Sequence, residues 1–116
     1  MIGAAHVILF ATDAEAARRF FSETLALDSV DAGDGWLIFA LPPAELATHP
    51  TDGEVRHELY LMCDEIEATV AELRAKGVEF AGEISEHNWG RLITMRVPGA
   101  GELGLYQPSH PSPLVG

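Results

Sequence analysis

The sequence predicts an α+β fold made of two βαβββ modules that form a curved mixed sheet around a cleft, and three observations predict it. A strand pattern runs directly into a capped-helix pattern at His57–Phe80, and the same order occurs at His6–Leu27. The two copies agree at one offset: His6 with Glu58, Thr12 with Asp64, and Glu15 with Glu67 are each 52 residues apart. A closing phrase also repeats, since Pro42-Pro43 followed by Glu45-Leu46-Ala47 returns as Pro98-Gly99 followed by Glu102-Leu103-Gly104. The break falls near residue 53, giving one domain over 1–116 with module 1 at about 1–53, module 2 at about 54–108 and an extended tail at 109–116.

Each element has its own signal. His6–Ala11 is an apolar run of strand length, with His6, Ile8 and Phe10 on one face and Val7, Leu9 and Ala11 on the other. Thr12-Asp13-Ala14-Glu15 has capping-box spacing, and Ala14, Ala17, Phe21 and Leu25 carry a helix to about Leu27. Turn-forming residues fill 28–35, Trp36–Leu41 reads as a strand, and Pro42-Pro43 stops it. In the second half Leu59, Leu61 and Cys63 alternate with Glu58, Tyr60 and Met62. Asp64 and Glu67 then cap a helix whose stripe is Ile66, Val70 and Leu73 and whose stop is Gly77. His87-Asn88-Trp89-Gly90 is a turn carrying one large aromatic, ahead of a strand at Leu92–Val97.

Composition narrows the function classes. The chain has 116 residues, 47% of them hydrophobic, and one core of that size buries roughly two-thirds of the unfolded surface. Seven basic against eighteen acidic residues give a net charge of -11, which repels phosphate backbones and anionic lipid surfaces, so neither nucleic acid nor membrane is an expected partner. Cys63 is the only cysteine; it excludes an internal disulfide and reads as a packed core residue. With no basic leader and no apolar run near the ~20 residues that span a bilayer, the expected location is cytoplasmic. There is no Gly-x-Ser-x-Gly, and the glycines of 99–104 lead into a strand, so neither a nucleophile elbow nor a phosphate loop is present.

The sequence resembles the vicinal oxygen chelate superfamily, which includes glyoxalase I, bleomycin-resistance proteins and extradiol dioxygenases. The resemblance is carried by His6-Val7-x-Leu9 with Asp13 seven residues on, Phe20-Phe21 with Leu25-Ala26-Leu27, Asp64-Glu65-Ile66-Glu67 with Leu73 and Lys76-Gly77-Val78, and the closing Pro98-x-x-Gly101-x-Leu103. It implies a homodimer and, in active members, a divalent metal (Zn, Fe, Mn or Ni) held by a His or Glu at the start of each module and a carboxylate near each module's last strand. The matching first-strand positions are His6 and Glu58. The last-strand positions hold Ala47 and Gly104, which have no donor.

Two readings follow. In the first, the protein binds a small, largely apolar molecule without metal, in the manner of bleomycin-resistance sequestration, with Ile8, Phe10, Trp36, Tyr60, Met62, Trp89 and Tyr106 as the binding residues and His6 and Glu58 as polar anchors, which hydrogen-bond each other when no metal is present. In the alternative, a shifted ligand set of His6, Glu58 and Glu102, with His49 or Glu45, holds a divalent ion for a glyoxalase, lyase or dioxygenase reaction. The absent carboxylates favour the first.

Overall fold

Ile66, Val70 and Leu73 are all buried on one side of helix α2 (Ile66–Ala75) in the structure, a computed structural model that describes residues 6–45, 47, 50–54 and 56–111. Each such aliphatic contributes roughly 1.5–3 kcal/mol by leaving water. The helix ends as the sequence predicts: Gly77 takes the left-handed conformation at φ 90°, and its N–H donates to the Arg74 carbonyl. Its beginning differs. Neither Asp64 nor Glu67 caps it. Instead the Gln107 side-chain carbonyl accepts from Ile66 N–H at 2.8 Å, from a strand forty-one residues away. Glu67 is drawn off to Arg91, whose guanidinium also holds Glu86.

The second half is a complete βαβββ unit. Strands β3 (Tyr60–Met62), β4 (Phe80–His87), β5 (Gly90–Val97) and β6 (Gly101–Pro108) form one sheet in the order β3-β6-β5-β4, with β3 parallel to β6 and the other pairs antiparallel. Alternation sends Ile93, Met95, Val97, Leu103 and Leu105 to the helix side, where they are buried. Leu61 and Cys63 pack against that same core. Between Ala81 and Ser85 the β4–β5 register shifts, and Gly82 takes φ 86° at this bulge.

The first half is only partly built on the predicted plan. Helix α1 (Ala14–Arg19) starts one residue later than the capping box implies: Asp13 Oδ1 accepts from Ala16 N–H, while the Thr12 hydroxyl donates to the Gly99 carbonyl. A π-helical turn at Phe20–Thr24 follows and rotates the stripe, so Ala17 and Phe20 enter the core and Phe21 is only half-buried. Strands β1 (Ser29–Asp31) and β2 (Leu37–Phe39) make a hairpin whose loop is fastened by the Asp31 carboxylate, which accepts from Gly33 and Gly35 N–H. The strand predicted at Trp36–Leu41 is therefore three residues long.

His6–Ala11, predicted as a strand, pairs with no described strand. A strand exists through its neighbour's backbone, and none of the described strands runs alongside this segment. Its side chains are exposed on both faces, Phe10 at 92% and Ile8 at 61%. The first module's last predicted stretch, near Glu45 and Ala47, also forms no strand among the described residues, and His49 lies outside them. What the first half does give the second is α1, which docks on the Pro98–Ala100 turn: Asp13 N–H donates to the Gly99 carbonyl at 3.1 Å, and a Cβ on Gly99 would run into Asp13.

Candidate functional site

The face of the sheet turned away from α2 carries Tyr60 and Met62 from β3, Gly104 and Tyr106 from β6, and Leu92 and Thr94 from β5. Register places Tyr60, Gly104 and Thr94 in one row and Met62, Tyr106 and Leu92 in the next. Four of these six are half-buried or buried although no element covers them, because the two tyrosine rings lie down on the sheet. A Cβ on Gly104 would fall against the Tyr60 ring, 2.6 Å from Cε1, and a Cβ on Gly90 would fall 2.6 Å from Tyr106 Cε2. Each tyrosine thus occupies ground that only a glycine leaves free.

The rings continue into the β4–β5 turn. Tyr60 and Tyr106 have centroids 6.1 Å apart, Trp89 meets Tyr106 edge-on at 5.5 Å, and Trp89 stacks on His87 at 4.4 Å and 4°. The two-residue turn at Asn88 and Trp89 puts the indole here, since His87 and Gly90 are the last facing pair of the hairpin. Ser85 fixes the imidazole. Its hydroxyl proton goes to the Leu92 carbonyl at 3.2 Å, which leaves its oxygen to accept from His87 Nε2–H at 2.9 Å. At the far rim the His110 ring stands 5.8 Å from Tyr106, and its Nε2 is 4.0 Å from Glu45 Oε1.

Both tyrosine hydroxyls are already committed as donors: Tyr60 to Glu58 Oε1 at 2.8 Å and Tyr106 to the Trp89 carbonyl at 3.2 Å. Burial pushes the Tyr60 phenol above its ordinary 10.0, helped by the hydrogen bond to Glu58 and that carboxylate's charge. Burial raises Tyr106 as well, with the Glu45 charge second. Cys63, on the helix side, has its thiol raised chiefly by burial, the opposite of an activated nucleophile.

The expected site residues divide accordingly. Tyr60, Met62, Trp89 and Tyr106 come together on this face. Ile8, Phe10 and Trp36 do not join them in the single chain: the first two stand exposed, and the Trp36 ring lies under the Arg18 guanidinium at 5.0 Å to the centroid. His6, Glu58 and Glu102 are all exposed; Glu58 contacts Tyr60 and Arg56, and Glu102 faces Arg96 across the ladder. Among the described residues no three His, Cys, Asp or Glu side chains form a group able to hold a metal ion. Sequence reasoning passed over His87, Ser85, His110, Leu92 and Thr94. Strand parity from Leu92 would have found the last two, Ser85 and His87 share that face through their β4–β5 pairing with Leu92 and Gly90, and His110 reaches it only through the tail. Two shallow hollows lie elsewhere, lined by Ala16, Arg19, Phe20, Glu23, Thr24 and Pro98 and by Lys76, Gly77, Val78, Glu79 and Arg96 with the same Phe20 edge. They gather no convergent polar groups, and the aromatic face is where chemistry concentrates.

Two outcomes are expected. Gly104→Ala destabilises the fold by about 1–3 kcal/mol through overpacking against Tyr60. In a Tyr60→Ala background the same change becomes neutral or stabilising, because the glycine's entropic cost is then all that is removed; urea denaturation of the four proteins measures the cycle. Secondly, the chain has only two tyrosines, so its tyrosinate absorbance reports Tyr60 and Tyr106 alone, with both midpoints above the ordinary 10.0. Both groups keep their protons longer folded than unfolded, so their stabilising contribution is full below pH 10.0 and is lost as pH rises through the folded-state values. Glu58→Gln brings one of the two transitions down and leaves the other in place.

Comparison with known proteins now has a geometry to meet. A profile of the Glyoxalase/Bleomycin resistance protein/Dioxygenase superfamily matches residues 3–108. Among solved structures, the chain is similar to TnmS3, an antibiotic binding protein from Streptomyces sp. CB03234, with 30% identity over 94% of this chain and 100% of that one at a TM-score of 0.63. A glyoxalase/bleomycin resistance protein from the same Streptomyces strain shares 28% identity over 85% and 95% of the two chains, with a TM-score of 0.59. Lactoylglutathione lyase from Agrobacterium tumefaciens, at 15% identity over 90% and 92% with a TM-score of 0.65, shares the fold. No curated protein matches. The extent of the profile match and the shared βαβββ architecture make this chain a member of the Glyoxalase/Bleomycin resistance protein/Dioxygenase superfamily.

Proposed function

We propose that the protein binds a small, largely apolar molecule on the aromatic face of its second module and does so without a metal ion. The observation that carries this is the Tyr60 ring lying on Gly104. The position at which the resemblance places a carboxylate ligand is not merely short of a donor; it is filled by an aromatic ring that a larger side chain would have to expel. Ala47 offers no donor either, and with no three-donor group among the described residues the side chains present do not fit a resident divalent ion. What they do fit is stacking and apolar contact from Tyr60, Met62, Leu92, Tyr106 and Trp89, with a few polar groups at the rim. The similarity to an antibiotic binding protein at 30% identity supports the same reading.

The working form is a homodimer. The single chain exposes 8804 Å², where a folded 12.5 kDa monomer exposes about 6,200 Å², and its radius of gyration is 15.2 Å against about 13 Å. The excess of about 2,600 Å² is on the scale that one partner covers in an obligate dimer, about 1,000–2,500 Å². Val7, Ile8, Phe10, Val30, Trp36, Ile38 and Leu41 supply apolar surface for it. A second copy also provides the sheet edge that His6–Ala11 lacks.

Elemental analysis of protein purified without chelator is expected to find no stoichiometric zinc, iron, manganese or nickel. The neutral probe 1-naphthylmethanol, at about a hundredfold excess over its Kd, stabilises the fold by about 2.7 kcal/mol, with or without EDTA. One equivalent of metal that disappears in both His6→Ala and Glu58→Ala sinks the metal-free reading. Sedimentation equilibrium is expected to give twice the 12.5 kDa of one chain, and Ile8→Glu with Phe10→Glu to shift the mass towards the monomer. A wild-type monomer at micromolar concentration contradicts the dimer.

A further inference from the structure

We infer that the molecule bound on the aromatic face is an organic cation, an aromatic body bearing a protonated amine, with Glu45 as its counter-charge. This rests on the binding reading above and gives it a ligand class. Hydrogen bonds within the face spend some of its donors. Tyr60 Oη has given its proton to Glu58, and Tyr106 Oη has given its proton to the Trp89 carbonyl, so each retains only lone pairs. His87 Nε2 stands 2.9 Å from the Ser85 hydroxyl, a contact that holds the imidazole against Trp89. Glu45 contributes the remaining group. Its side chain is 17% exposed, Oε1 stands 4.0 Å from His110 Nε2, and Oε2 is buried without a hydrogen-bond partner. Glu45 Oε2 is therefore an unspent acceptor at the rim of the face, and a ligand group that satisfies it must donate.

Charge points the same way. A carboxylate oxygen cut off from water is costly unless a donor or a cation reaches it. Glu45 Oε1 stands 4.0 Å from His110 Nε2 and the His110 ring 5.8 Å from the Tyr106 ring, which puts the carboxylate at the rim of the rings. The faces of Trp89, Tyr106 and Tyr60 attract a cation through their quadrupoles. Of the basic side chains, Arg91 projects to the helix side and is held by Glu67 and Glu86, Arg56 reaches the Tyr60 end of the face through its ion pair with Glu58, and Arg96 faces Glu102 some four residues along β5 from Leu92, about 13 Å; none of these three pairs with Glu45. Among the described residues His110 is the one basic side chain within ion-pair distance of Glu45, and at 4.0 Å it makes no hydrogen bond with it. The net charge of -11 draws a cation towards the protein and holds an anion off.

Isothermal titration with three probes of one ring system tests this: 1-naphthylmethylammonium, the neutral 1-naphthylmethanol and 1-naphthoate. Wild type is expected to bind the cation at least about tenfold more tightly than the alcohol, and the carboxylate most weakly. Glu45→Gln, whose melting curve checks its folding, is expected to bring cation and alcohol to within about twofold without weakening the alcohol, while Glu45→Asp keeps most of the preference. Trp89→Ala and Tyr106→Ala weaken all three. Added salt narrows the wild-type preference, a readout that needs no variant. If alcohol and cation bind equally and Trp89→Ala abolishes both, the cation assignment is overturned and the binding reading stands. If no probe binds, both are overturned, and a preference that survives in Glu45→Gln removes Glu45 from the role assigned to it.

Discussion

The pairing of Tyr60 with Gly104 is the constraint from which the rest of the molecule takes its order. β6 lies between β3 and β5 and serves two layers at once: Leu103, Leu105 and Gln107 point to the helix, and Glu102, Gly104 and Tyr106 to the aromatic face. Because side chains alternate with a period of two, a slip of one residue between β3 and β6 would turn Leu61 out of the core in the same motion that lifted Tyr60 off its glycine. The α2 cap is tied to the same register, since Gln107 reaches Ile66 N–H only from this alignment. Core, helix start and aromatic face thus all depend on one strand pairing. A β3 of three residues could hardly hold its place on backbone bonds alone; the fit of a ring over a bare Cα supplies the discrimination that length does not.

The two halves, similar in sequence, have become physically unequal. The second half closes its own βαβββ unit around α2, whereas the first sends α1 into that unit's core and leaves its first segment and its β1–β2 hairpin with little cover. A two-stranded sheet is marginal by itself, and exposed Ile8, Phe10, Val30 and Trp36 on one chain amount to unfinished packing. The glycines of the Pro98 turn belong to the same division of labour. Gly99 permits Asp13 to sit directly on its backbone, so a turn that the family resemblance associates with presenting a carboxylate instead receives the end of a helix.

What could be read in the sequence was whatever periodicity controls. The α2 stripe, its Gly77 stop, the alternation of β3 and the apolar side of β5 are all local patterns, and all appear. The caps were misassigned because a capping box describes only near neighbours. Gln107 and the Gly99 carbonyl compete for the same backbone and hydroxyl groups from forty-one and eighty-seven residues away. Phe21 yielded its place to Phe20 because a π turn adds a residue that no 3.6-residue pattern anticipates. At the site, Tyr60, Met62, Trp89 and Tyr106 could be found from strand parity and one turn. Trp36 could not, since its fate depends on Arg18 sitting on its ring. The value of Gly104 was half legible: the missing carboxylate is visible in the sequence, but the ring that takes its space is not.

Replacing a ligand carboxylate by a ring also changes what the surviving carboxylates mean. In a metal site, acidic side chains are neutralised by the ion they hold, and their mutual repulsion is masked. Neither Gly104 nor Ala47 carries a donor, and Glu58 and Glu45 have different surroundings. Glu58 takes the Tyr60 hydroxyl and Arg56, and in doing so spends the one proton the phenol could have offered a ligand. Glu45 takes nothing at Oε2. On the metal-free reading proposed above, Glu45 leaves an unspent acceptor beside aromatic rings, a setting that suits a soft, spread positive charge on a flat molecule. The acidity of the whole chain, which alone would mean only a solvated surface, acquires a direction once the local groups are counted.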